Sequence, residues 1–197
     1  MIRLHQSRDR GLDGRVEEWA PLASDAKEID LMGLTLWRHW FQQPELCEAM
    51  HRMINNGGTI RVMLLDKDKK LDPTSSIAVR IRQPGEGEDI LTGLLTESYK
   101  ALNTFTQDLA SGISAVEEHL KIRLVSECLF YALVIRIDDY IFVAPYLSSA
   151  LGEHSFALSI RGPRGTAYKI YMKELDEVFS HGYTPRWQGQ GNKTEEL

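Results

Sequence analysis

Residues 120–147 read LKIRLVSECLFYALVIRIDDYIFVAPYL, and the fold is decided here. Val134, Ile135 and Ile137 lie before the acidic pair Asp138-Asp139, and Tyr140, Ile141, Phe142 and Val143 lie after it. These are β-forming side chains on both sides of a polar break, the pattern of a hairpin. The preceding residues 121–127, KIRLVSE, read as a strand at the edge of the same sheet. The bend carries no Asn-Gly or Asp-Gly pair, so its turn type stays open. Strands this apolar must be covered, and Tyr131, Arg136, Asp138 and Asp139 in and beside them need partners. Any function is expected to sit among such groups.

Upstream, Ile29 to Leu34 is a short apolar run suited to a buried strand. Pro44 opens a helix at its first turn, with Leu46, Met50 and Met53 on one stripe. Asn55-Asn56-Gly57-Gly58 ends it, and Thr59 to Leu65 is a second buried strand. Strand, helix and strand with such short joints predict a βαβ unit with parallel strands and a right-handed crossover. Before it, residues 1–15 read as an irregular lead-in and Val16, Trp19, Leu22 and Ala23 as a short helix. Residues 67–88 read as loops around one short helix. From Ile90 to about Val116, a Leu, Tyr and Phe stripe at helical spacing predicts a long amphipathic helix. Downstream come a strand at 156–160, the loop Arg161-Gly162-Pro163-Arg164-Gly165 and a helix over 167–180. The expected architecture is α/β, a mixed sheet flanked by helices on both faces. One domain over 1–182 and a polar, flexible tail over 183–197 complete it.

The length of 197 residues suffices for one domain with a sizeable core. A net charge of -5 argues against a general nucleic-acid binder, which needs a basic face. No apolar run reaches the roughly 18 residues of a membrane span, and the first residues are too polar for a secretory signal. Cys47 and Cys128 read as buried thiols, so the cytoplasm is the expected address.

Four stretches, taken together, resemble a known family. They are IDLMGLTLW, ELCEAMHRMINNGGTIRVMLLDKD, RLVSECLFYALVIRIDDYIFVAPYL and ALSIRGPRGTAYKIYMKELDEVFSHG, covering most of residues 16–182. Their order and spacing are similar to the phospholipase D superfamily. They are closer to a degenerate phospholipase D-like family, known as the C-terminal domain of bacterial helix-turn-helix regulators. The resemblance implies one half of a phospholipase D. Active members carry His-x-Lys-x-x-x-x-Asp, whose histidine attacks phosphorus while the lysine holds phosphoryl oxygens. The matching positions here are Tyr131, Leu133 and Asp138. Nucleophile and clamp are both replaced, so the resemblance implies a module inactive by that mechanism. Because active single-copy members pair across a two-fold axis, it also implies a homodimer.

The expected ligand-binding set is Tyr131, Arg136, Asp138 and Asp139 with Trp37 and Asp66, which follow the first two buried strands. Arginine favours phosphate or carboxylate, which points to a small anionic, nucleotide-like ligand. The competing reading is structural, with Arg136 and Asp138 as an internal ion pair fixing the hairpin. Asp66 and Asp68 could hold magnesium or lie in a solvated turn beside Lys67, Lys69 and Lys70. Trp37, His39 and Trp40 could stack on a base or pack, and Arg161 and Arg164 could capture an anion or simply connect elements. His154 has no metal-ligating companion at a suitable spacing, and no metal or cofactor is expected. His119-Leu120-Lys121 is a literal His-x-Lys at a strand start, so a phosphodiesterase or nuclease using His119, Lys121 and Asp138 or Asp66 is the enzymatic alternative. The favoured expectation is a non-catalytic regulatory or sensing module of bacterial signalling or defence. It would bind a small anionic ligand or a protein partner, with a pure protein-interaction scaffold as the third reading.

Overall fold

The computed structural model describes residues 1–5, 16–34, 40–66, 87–125, 132–145 and 156–185. In chain order they form β1 (Ile2–His5), α1 (Val16–Ser24), β2 (Glu28–Gly33), α2 (Pro44–Asn55), β3 (Thr59–Leu65) and α3 (Gly87–Gly112). Then follow α4 (Val116–His119), β4 (Leu120–Val125), β5 (Ala132–Ile137), β6 (Tyr140–Pro145), β7 (Ala157–Arg161) and α5 (Thr166–His181).

The described strands make one seven-stranded sheet in the order β1-β7-β6-β5-β2-β3-β4. Neighbours among β2, β3 and β4 run parallel, and every other pair is antiparallel. The βαβ unit is therefore β2-α2-β3, and the hairpin is β5-β6. Ile137 lies opposite Tyr140, which leaves Asp138-Asp139 as a two-residue turn. Primed hairpin turns need a positive φ at their first position, and Asp138 supplies φ 47° without a glycine.

Period-two alternation sends Ile29, Leu31, Val62, Leu64, Ile122, Leu133 and Ile135 to one face of the sheet. There they meet Trp19 of α1, Met50 and Met53 of α2, and Leu102 and Phe105 of α3. Met32, Met63, Val134, Ile141, Val143 and Ile160 face the other way, against Tyr168, Leu175 and Val178 of α5. Helices thus cover both faces. Each fully buried Leu, Ile or Phe contributes about 1.5–3 kcal/mol. Trp40 packs into this core, with its ring 6.2 Å from Trp19, which in turn touches Tyr140 and Phe142.

Three expectations need correction. The polar opening is not wholly irregular, because Ile2–His5 pairs antiparallel with β7 and ends the sheet. The long helix stops at Gly112, and Ala115, with φ 57°, turns the chain into the short α4. The expected tail begins with an anchored residue: Tyr183 forms an antiparallel bridge to Leu124.

Candidate functional site

Asp30 is the buried charged side chain of β2, and the register decides its fate. It lies opposite Arg61 of β3 on one side and Arg136 of β5 on the other. Arg61 donates to both carboxylate oxygens, at 2.6 and 2.9 Å, and Arg136 Nη1 donates to Oδ2 at 3.0 Å. Asp30 is only 1% exposed, so each arginine stands in for the water it has lost. Arg61 also reaches Asp176 of α5 at 2.7 Å, and Arg136 reaches Glu28. The hydrogen bond to Asp30 leads in raising the Arg61 guanidinium above its ordinary value. For Arg136, burial pulls the other way, but Glu28 and Asp30 outweigh it and the group is also raised. Both stay charged and paired.

The expected Arg136–Asp138 ion pair does not form through the carboxylate. Arg136 Nε donates instead to the Asp138 backbone carbonyl at 2.9 Å, which also accepts from the Tyr168 hydroxyl at 2.6 Å. The Asp138 carboxylate turns to the backbone N–H groups of Lys27 and Glu28, at 3.0 and 2.9 Å. It ties the hairpin tip to the start of β2. A cavity of about 530 Å³ opens beside this knot, lined by Lys27, Glu28, Arg136, Asp138, Asp139 and Tyr168 among others. An anion entering there would have to take Arg136 from Asp30 and Glu28.

Asp66 lies at the other end of the sheet. It follows β3, whereas Asp138 sits beside Glu28 and Thr59, where β2 and β3 begin. At about 3.3 Å per residue, the length of β3 separates the two carboxylates by roughly 20 Å. Tyr131 and Trp37 lie outside the described residues, as do Asp68, His39 and His154. The expected ligand-binding set is therefore divided, with Arg136, Asp138 and Asp139 at one end and Asp66 at the other. Next to Tyr131, Ala132 is 0% exposed and Leu133 2% exposed, both in the apolar core.

The alternative catalytic set is dispersed too. His119 Nδ1 donates to the Gly58 carbonyl at 2.9 Å, and Lys121 is exposed on β4. Three strand spacings of about 4.8 Å separate β4 from β5, so His119 and Asp138 lie on the order of 14 Å apart. Asp66 is a strand length away. Arg161 lies over the Tyr140 ring at 5.4 Å, and Arg164 is exposed.

Sequence reasoning passed over two groups. Asp30 was hidden in an apolar run. Tyr183 donates its hydroxyl to Asp66 Oδ2 at 2.7 Å, and Asp66, 2% exposed, is no solvated turn residue. Tyr99 donates to the Leu65 carbonyl beside it at 2.9 Å. This end, beyond the C-terminal edges of parallel strands, is where open α/β sheets bind ligands. A smaller cavity of about 260 Å³ lies between α2 and α3, lined by Phe41, Cys47, His51, Phe105 and Asp108 among others. Burial, helped by the Asp108 charge, pushes the Cys47 thiol up to about 11. Among the described residues, no three His, Cys, Asp or Glu side chains are grouped to hold a metal ion.

The order of this mixed sheet and its two helical layers define an α/β protein of phospholipase D-like fold. Solved structures carry the same architecture. Nuc from Salmonella typhimurium, a phospholipase D family member, matches with a TM-score of 0.51 at 14% identity, over 94% of this chain and 98% of that one. Phosphatidylserine synthase from Haemophilus influenzae Rd KW20 matches at 0.57 and 14% identity, over 94% of this chain and 39% of that one. TrmBL2, an archaeal chromatin protein with a novel mode of DNA binding, matches at 0.53 and 13% identity. The chain covers 54% of TrmBL2, and 93% of the chain is matched. At these identities the likeness is one of fold. No family model and no curated protein matches the sequence.

Proposed function

We propose that this chain is a non-catalytic, phospholipase D-like regulatory module that binds its ligand at the C-terminal end of the sheet, around Asp66. The reading is carried by Leu133. The resemblance puts the phosphate-clamping lysine at this position, yet the residue is an apolar side chain 2% exposed in the core. A leucine there supplies no charge to a phosphoryl oxygen, and one fold serves many functions through its sites. Asp66 accepts hydrogen bonds, so it selects donors such as the ribose hydroxyls or exocyclic amine of a nucleotide-like ligand. A homodimer or another protein of the same system is the proposed partner, on the resemblance alone. General nucleic-acid binding is not proposed, because the net charge of -5 opposes it.

The test is a thermal-shift screen against nucleotides, cyclic nucleotides and nicotinamide dinucleotides, repeated with Asp66→Asn. That substitution keeps the shape and one acceptor for Tyr183. A ligand at about 100 times its Kd adds roughly 2.7 kcal/mol, a shift of several degrees. A shift lost in the folded variant supports the site. Silence across the panel overturns the ligand reading and leaves the protein-interaction scaffold. Phosphodiester turnover that His119→Ala abolishes would overturn the non-catalytic reading.

A further inference from the structure

We propose that the chain leaving the last helix, Gly182 to Pro185, is a latch across the C-terminal end of the sheet, in which the Tyr183 phenol takes the place of an external hydrogen-bond donor to Asp66.

Two backbone hydrogen bonds make the latch. Leu124 N–H donates to the Tyr183 carbonyl at 2.9 Å, and Tyr183 N–H donates to the Leu124 carbonyl at 3.1 Å. Thr184 accepts from Arg123, and Pro185 is buried. In the antiparallel register the next hydrogen-bonded position falls on Pro185, which has no N–H to donate, so its nitrogen cannot extend the ladder. Tyr183 is 45% exposed, although its hydroxyl ends on a carboxylate that is 2% exposed. This is the geometry of a cover, with its outer part in water and its polar tip over a buried acceptor.

Gly182 is what lets the latch lie so close. A Cβ there would stand 2.6 Å from Cβ of Arg123 and 3.1 Å from Cγ2 of Val125. Its backbone, at φ -76° and ψ 159°, suits any residue, so the requirement is purely one of approach. Gly182→Ala therefore pushes the segment off β4 while leaving it in a backbone conformation that alanine also adopts. Segments held by a few hydrogen bonds at a sheet edge open locally, at far lower free energy than the whole domain. An open latch withdraws the Tyr183 hydrogen bond from Asp66 Oδ2. A ligand that provides a donor then competes with Tyr183.

That the latch controls ligand access rests on the preceding reading; that it opens as a unit does not. Native-state hydrogen exchange on the full chain, at low denaturant concentrations, tests the second point directly. The Leu124 and Tyr183 amides should exchange by a denaturant-insensitive opening. Tyr183→Phe and Gly182→Ala should each speed them by about tenfold, the loss of roughly one hydrogen bond, with β2 and β5 amides unchanged. Exchange of both amides only with global unfolding, or unchanged in both variants, overturns the latch. Control of access is read from the nucleotide panel: Gly182→Ala should enlarge any thermal shift relative to its own ligand-free baseline. Equal shifts in both proteins overturn that control. No shift in either protein, with fast local opening, overturns it as well and retires the ligand reading, while the latch itself stands on exchange.

Discussion

Removing the Asp30 carboxylate would leave Arg61 and Arg136, on the two strands that flank β2, with no charge between them. Breaking a buried ion pair from one side costs about 3–5 kcal/mol, because the stranded charge stays desolvated. Asp30→Ala should lower the unfolding free energy by somewhat less than that in a denaturant titration, because Asp176 still reaches Arg61 and Glu28 still reaches Arg136. Arg136→Ala should cost less, since Arg61 still holds Asp30. In the sequence Asp30 is one polar letter in IDLMGL, and nothing local connects it to arginines 31 and 106 positions away. Only the strand register makes the cluster visible. Cys47 yields a second prediction at this scale. With its thiol held at about 11 against an ordinary 9.0, the thiolate fraction near neutral pH falls about 100-fold, and alkylation slows in proportion. The sign follows from the direction of the shift. The unfolded thiol ionises first, so this group favours the folded state below about pH 9 and loses that contribution as pH rises toward 11. Mass-spectrometric labelling rates of the Cys47 peptide against pH would check it, and a rate that levels off near pH 9 would contradict the buried-thiol picture.

Among the elements, the β5-β6 hairpin was legible and its turn was not. Val134 to Val143 announces two strands by β-branched and aromatic content, but the turn signal lies in Asp138, a residue of many possible roles. It meets two demands at once, a positive φ and an acceptor for two N–H groups at the start of β2. Asp138→Ala fails both and should cost about 1–2 kcal/mol, within the range for losing hydrogen bonds to a charged acceptor. Asp138→Asn should cost less than half of that, because asparagine tolerates positive φ and keeps one acceptor oxygen. Equal losses in the two variants would remove the backbone part of this account. The strand β1 went unread for the opposite reason: Ile-Arg-Leu-His alternates, but four residues are too short a run for the alternation to stand out. Its strand state comes from β7, which supplies the ladder it joins.

At the scale of the molecule, strand direction explains why the candidate site was only half legible. The hairpin and the βαβ unit were both readable, and so was the resemblance that joined them into a phospholipase D-like sheet. Yet β5 runs antiparallel to β2 and β3, which carries Asp138 away from the end where Asp66 lies. Residues that seemed to gather by type are separated by the length of a strand. The two sheet edges differ in the same global way. At β4 the edge carries the Tyr183 bridge, whereas β1 ends the sheet with Ile2 60% and Leu4 68% exposed on one face. An apolar terminal strand is a template for pairing with another chain, and natural edges are usually blunted by charge. Leu4→Lys supplies that charge at a position that buries little, so folding stability should change by no more than about 0.5 kcal/mol. Sedimentation velocity across a concentration series should then show less self-association than the wild type. Association that is undiminished in Leu4→Lys would place the contact elsewhere on the molecule, because a charge in the middle of a four-residue strand pairing must be either desolvated or expelled.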